Sequence, residues 1–183
     1  CHQLSAVFKA LKPGHPTSVE ACSSNYQVGP EIANETAPKS SITRWMFPPA
    51  GDRAAFSITW WDGGLRPPRP EELELNRRFG EGDWLLIIGD KGKMLGHQII
   101  PESKSREIGE PPRVLARSPG HYKEWIDACK GGKPAGSNFV DHAGQLAETG
   151  SIGLPAHQHE RLATTLAVAD VEQQRFLVIG NIG

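Results

Sequence analysis

Little in this sequence points away from an ordinary folded domain, and what is missing narrows the choices first. No apolar run approaches the ~18 residues a membrane-crossing helix needs. Cysteine is scarce: Cys1, Cys22 and Cys129 are odd in number and widely spaced, so they read as buried or free thiols rather than a disulfide framework. That leaves the compartment open between cytoplasm and periplasm. Neither sign of charge is in excess. A formal net charge of −1 gives no electrostatic case for nucleic acid or for an anionic membrane, so neither is expected as a partner. The one arginine- and proline-rich stretch, residues 66–70, is followed at once by Glu71, Glu72 and Glu74.

Several chemical signatures are absent as well. No G-x-G-x-x-G follows a strand pattern, so no nicotinamide cofactor site is expected on this chain. No G-x-S-x-G marks a nucleophilic serine. Gly89-Asp90-Lys91-Gly92-Lys93 lacks the spacing of a phosphate loop and has Met94 where a Ser or Thr belongs, so it reads as a hairpin turn. His157 and His159 have metal-like spacing, but only Glu160 stands nearby, and they read as a polar turn; no metal is expected.

Glycine (20) and proline (15), by contrast, are plentiful, which favours a loop-rich, strand-rich body over a helical bundle. Leu4, Val7, Phe8 and Leu11 fall at the spacing of one buried helix face, and Lys12-Pro13-Gly14 stops that helix. Strands are expected at 18–24, 41–47 and 54–61, the last turned by Asp62-Gly63-Gly64, with a polar loop over 26–39. Residues 65–82 read as an ordered surface excursion. Residues 84–88 and 93–95 read as a hairpin, and 101–117 as irregular chain. Ser118-Pro119 predicts a helix start, with Tyr122, Trp125, Ile126 and Cys129 as a core-facing stripe and Gly131-Gly132 as its end. Phe139, Ala143, Leu146 and Ala147 predict one more helix, weakened or ended by Gly150, Gly153 and Pro155. Residues 162–171 suit a helix and 175–179 a last strand. Strands and helices are segregated rather than alternating. The expected fold is therefore α/β of the α+β kind: an open, mostly antiparallel β-sheet with helices packed on one face.

A resemblance sharpens this reading. Cys1-His2 opening an amphipathic helix, Trp60-Trp61-Asp62-Gly63-Gly64-Leu65-Arg66-Pro67-Pro68, the Gly89–Lys93 turn, and His121-Tyr122-Lys123-Glu124-Trp125-Ile126-Asp127-Ala128-Cys129-Lys130-Gly131-Gly132-Lys133-Pro134 follow one another in a telling order. From Cys1 to about Thr149 the chain resembles the C-terminal domain of the bacterial branch of the Gfo/Idh/MocA oxidoreductases. The resemblance implies a substrate and oligomerisation domain over residues 1–156. It leaves 157–183 as a divergent tail, read as a closing helix and strand of the same domain. It implies hydride transfer between NAD or NADP and the alcohol carbon of a sugar or cyclitol. The cofactor would be bound by an N-terminal Rossmann domain missing from this sequence, and the assembly would be a homo-oligomer. His2 aligns with the family's acid/base histidine, whose companion aspartate would lie before Cys1; Ser5 stands where many members carry a further aspartate.

His2 is thus the expected catalytic residue, since a histidine titrates where a hydroxyl proton must be taken up. Trp61, Asp62 and Arg66 are the expected substrate-binding residues: an indole stacks on sugar C–H groups, while a carboxylate and a guanidinium bind hydroxyls. Strand alternation puts Trp60 and Trp61 on opposite faces, so one of them belongs to the core. The alternative reading is a non-catalytic carbohydrate-binding or assembly module that has kept the fold.

Overall fold

The computed structural model describes residues 2–24, 38–79, 85–152 and 176–181. Its centre is an open seven-stranded sheet: β1 (Ser18–Ser24), β2 (Ser40–Phe47), β3 (Phe56–Trp61), β4 (Leu85–Gly89), β5 (Gly92–Leu95), β6 (Gln98–Ile100) and β7 (Phe176–Asn181). The spatial order is β1-β2-β3-β7-β4-β5-β6. Every neighbouring pair is antiparallel except β4 with β7. Residues 176–181 therefore complete the middle of the sheet, with Ile58 of β3 opposite Ile179 and Ile87 of β4 on the other side.

The alternation of β3 decides the two faces. Phe56, Ile58 and Trp60 point one way, joining Trp45 and Phe47 of β2 and Ile179. The helix α1 (His2–Leu11) lays Leu4, Val7 and Phe8 on this face, each at most 4% exposed. Phe8 meets Phe47 edge-on at 6.4 Å, and Phe47 stacks on Phe56 at 5.0 Å, so three aromatic rings tie the helix to the β2–β3 pair. Leu146 of α4 (Gly144–Ile152) packs into the same core. On the opposite face Trp61, Leu86, Ile88, Leu95 and Ile100 pack under Leu73 from the 65–79 excursion.

That excursion is ordered by one side chain. The guanidinium of Arg69 donates to the carbonyls of Pro70, Leu73, Glu74 and Arg77 at 2.6–3.4 Å, closing the loop around itself. The turn before it needs glycine at position 63, where φ is +68° and a Cβ would sit 2.1 Å from the Lys39 carbonyl oxygen.

Four expectations are corrected. The stretch read as irregular from 101 onward, which follows β6, holds a short helix, α2 (Glu102–Ile108), too brief for a legible period. The next helix, α3, runs His121–Cys129 with Gly120 at its N-cap; Ser118 Oγ accepts from the Gly120 N–H, bending the chain before the helix starts. Its Tyr122, Trp125 and Ile126 stripe is not core: these side chains are 75%, 66% and 44% exposed, and Cys129 is exposed too. The half-buried positions are instead Glu124, Asp127 and Ala128. The last helix begins with a π-helical turn, Phe139–Ala143, capped by Asn138, and buries His142, Leu146 and Thr149 rather than Phe139 and Ala147. It runs on through Gly150 to Ile152. The 26–37 part of the polar loop, Trp84, the 162–171 segment and the His157/His159 pair lie outside the described residues.

Candidate functional site

Beneath the excursion, on the sheet face away from α1, lies a groove of about 490 Å³. Its floor is Thr59 and Trp61 of β3 with Leu86 and Ile88 of β4; its walls are Arg44 of β2, Lys93 of β5 and the strap from Pro67 to Glu71. The volume falls in the range of small-molecule sites, which run from roughly 300 to 1,000 Å³. Strand geometry explains the lining. Arg44 pairs with Thr59 across β2 and β3, and Trp61 lies two residues further along on the same face.

The polar groups of this groove are partly committed. Arg44 Nε donates to Thr59 Oγ1 at 3.4 Å, and its terminal nitrogens have no partner among the described residues. Lys93 Nζ lies 2.7 Å from Glu72 Oε2, with both side chains partly exposed. Hydrogen bonding from Lys93, aided by a backbone N–H, holds the Glu72 carboxyl below its ordinary range. Trp61 is half-buried; its ring lines the groove while its Nε1–H is enclosed without a hydrogen-bond partner among the described residues.

The structure brings only some of the expected residues together. Trp61 is in the groove. Asp62 follows at the strand end, where its Oδ1 accepts from the Gly63 N–H at 2.8 Å and shapes the turn. Arg66 lines a separate depression and donates to the Phe79 carbonyl at 3.0 Å. His2 is exposed in the first turn of α1, on the helix that covers the other face of the sheet.

Beside His2 there is a pairing that sequence reasoning missed. Ser5, one turn further along α1, meets His142 Nε2 at 2.9 Å, 137 residues away in the chain. His142 is only 8% exposed. The π-turn carries it inward, and Gly144 permits that turn because a Cβ there would lie 2.6 Å from the Phe139 carbonyl oxygen. No local sequence signal announces a serine–histidine contact at such separation. Arg44 and Lys93 were also missed, since only the register of β2 on β3 puts Arg44 on the face of Trp61.

Among the described residues the direct passage from β6 into α2 leaves no free first N–H, because that of Glu102 is given to Glu74 Oε1. Nor do three His, Cys, Asp or Glu side chains converge on a metal position among them. Comparison of the chain with family models, with curated proteins and with solved structures gives no match in any of the three.

Proposed function

We propose that this chain is the substrate-side domain of an NAD(P)-dependent oxidoreductase acting on the alcohol carbon of a sugar or cyclitol. The observation that carries the carbohydrate part is the groove. A half-buried indole lies on its floor with a guanidinium, a hydroxyl and an ammonium–carboxylate pair around it. An aromatic plane takes the C–H side of a pyranose or cyclitol ring, and the surrounding polar groups take its hydroxyls. The sequence resemblance supplies the redox part. The nicotinamide, which accepts or donates the hydride, belongs in this reading to a Rossmann domain upstream, and no step of its chemistry falls to this chain's own groove. His2, exposed in the first turn of α1, lies across the sheet from the groove, so its part as the acid/base rests on the resemblance alone.

The outward stripe of α3 supports the two-domain part of the reading. Large exposed apolar surface seldom persists on a monomer. Tyr122, Trp125, Val114, Leu115, Phe139 and Val140 are each at least 66% exposed within 27 residues of chain, the span from 114 to 140. In this reading they dock the nucleotide-binding domain or a second subunit. A non-catalytic carbohydrate-binding module remains the second reading, favoured by the separation of His2 from the groove across the sheet.

Saturation-transfer NMR and tryptophan fluorescence with D-glucose and myo-inositol test the groove. Saturable millimolar binding that disappears in Trp61→Ala is the expected result. No binding of either sugar would remove the carbohydrate reading. For the redox part, His2→Ala in a protein rejoined to its nucleotide-binding half should lower kcat/KM by about 10²–10⁴. An unchanged rate and pH profile would favour the non-catalytic module.

A further inference from the structure

Resting on the carbohydrate reading of the groove, we propose that its ligand is a sugar acid, and that Arg44 recognises the carboxylate. The lining is not electrically balanced. Arg44, Arg69 and Lys93 contribute cations, while Glu71 is the one carboxylate among the lining side chains. Two of those cations are already engaged. Arg69 gives its guanidinium to four carbonyls of the strap, and Lys93 is paired with Glu72. Arg44 is different. Among the described residues only its Nε is used, in the 3.4 Å contact with Thr59 Oγ1, and this holds the inner edge of the guanidinium against β3. The terminal nitrogens then present a flat, two-pronged donor edge at the rim of a cleft whose floor is apolar.

A guanidinium in that state matches a carboxylate better than it matches a hydroxyl. The fork makes two parallel N–H···O bonds to a planar anion, and charge-assisted bonds are roughly twice as strong as neutral ones. Lysine in the same place would give a point charge without the fork. The adjoining indole of Trp61 takes the apolar side of the sugar ring, and Glu71 is left to accept from ring hydroxyls. A hexuronate, with a ring and an acid on one molecule, satisfies all three groups.

The experiment compares D-glucuronate with D-glucose as ligands of the whole chain by calorimetry, at one fixed ionic strength. Wild type, Arg44→Gln, Arg44→Lys and Arg106→Gln are measured side by side. Arg106 is an exposed cation on α2, outside the groove, and controls for net charge. Thermal unfolding of each variant shows that it is folded. The expected result is a preference for glucuronate of about tenfold or more, as charge assistance implies. Arg44→Gln should abolish that preference, Arg44→Lys should retain part of it, and Arg106→Gln should leave it intact. Equal binding of both sugars by wild type would overturn the sugar-acid inference and leave the carbohydrate groove standing. Binding of neither would overturn both. An equal loss in Arg44→Gln and Arg106→Gln would trace the preference to overall charge and remove Arg44 from the role.

Discussion

Two helices of nearly equal length, α1 and α3, carry similar apolar patterns and meet opposite fates. In α1 the residues at i, i+3 and i+4 (Leu4, Val7 and Phe8) are buried against three strands. In α3 the equivalent stripe faces outward, and the helix is held by its polar side. Glu124 is the anchor there: its Oε2 accepts from the Gly136 N–H at 3.0 Å, with Ser118 and Lys9 close by. A periodic pattern establishes that a helix has an apolar face. It does not establish that the covering surface lies in the same polypeptide.

Mutations can break or sharpen that contrast. The largest effect is expected for Phe8→Ala, which removes a ring from the α1 core and should cost about 3–5 kcal/mol in denaturant unfolding. A loss under 1 kcal/mol (roughly the level of a surface change) would mean that α1 is not an integral part of the core. Ser5→Ala comes next. It takes the hydroxyl from His142 Nε2 and leaves a nearly buried ring nitrogen without its partner, for a loss of about 1–3 kcal/mol. Retention of full stability would show that the imidazole finds another partner or water.

For α3 the matching change, Trp125→Ser, should shift stability by no more than about 0.5 kcal/mol, because the indole is mostly in solvent. The same substitution should reduce any self-association seen by sedimentation. Wild type running as a clean monomer at high concentration would count against a docking role for this stripe.

The smallest expected effect is a pH-dependent loosening confined to α3. Ser118 first, then the Gly136 N–H and the Lys9 and His121 charges, depress the Glu124 carboxyl. A group whose folded pKa is lowered contributes its stabilisation fully above the ordinary carboxylate range and loses it as pH falls through the lowered value. Acidification should therefore lower the protection factor of the Gly136 amide and free α3 while the α1 amides stay protected, as hydrogen-exchange NMR would show. Simultaneous release of both helices would contradict the separation.

The same contrast explains what could be read from the residues alone. The six-residue alternation of β3, the Asp62-Gly63-Gly64 turn and the spacing of Leu4 to Leu11 are local signals, each with a local cause, and the structure reproduces them. The sheet order, the burial of His142 against Ser5 and the placing of Arg44 over Thr59 depend on partners far apart in sequence. The strand period put Trp60 and Trp61 on opposite faces without saying which was core; the register of β2 on β3 sets Trp61 beside Arg44 and Thr59 in the groove. Arg66 shared its neighbourhood in sequence but lines a different depression, where its guanidinium donates to the Phe79 carbonyl.

The central position of β7 bears on how the molecule assembles in time. Strands β3 and β4 are not neighbours; each pairs with β7, so the β1–β3 and β4–β6 halves of the sheet share no backbone ladder until residues 176–181 arrive. During synthesis both halves leave the ribosome well before the segment that unites them, and each must wait with an open edge. Closing contacts as distant as Ile58 with Ile179 puts the rate-limiting search late and makes it slow. Until then the waiting edges of β3 and β4 are templates for the wrong strand, whether from the same chain or from a neighbour on the same message.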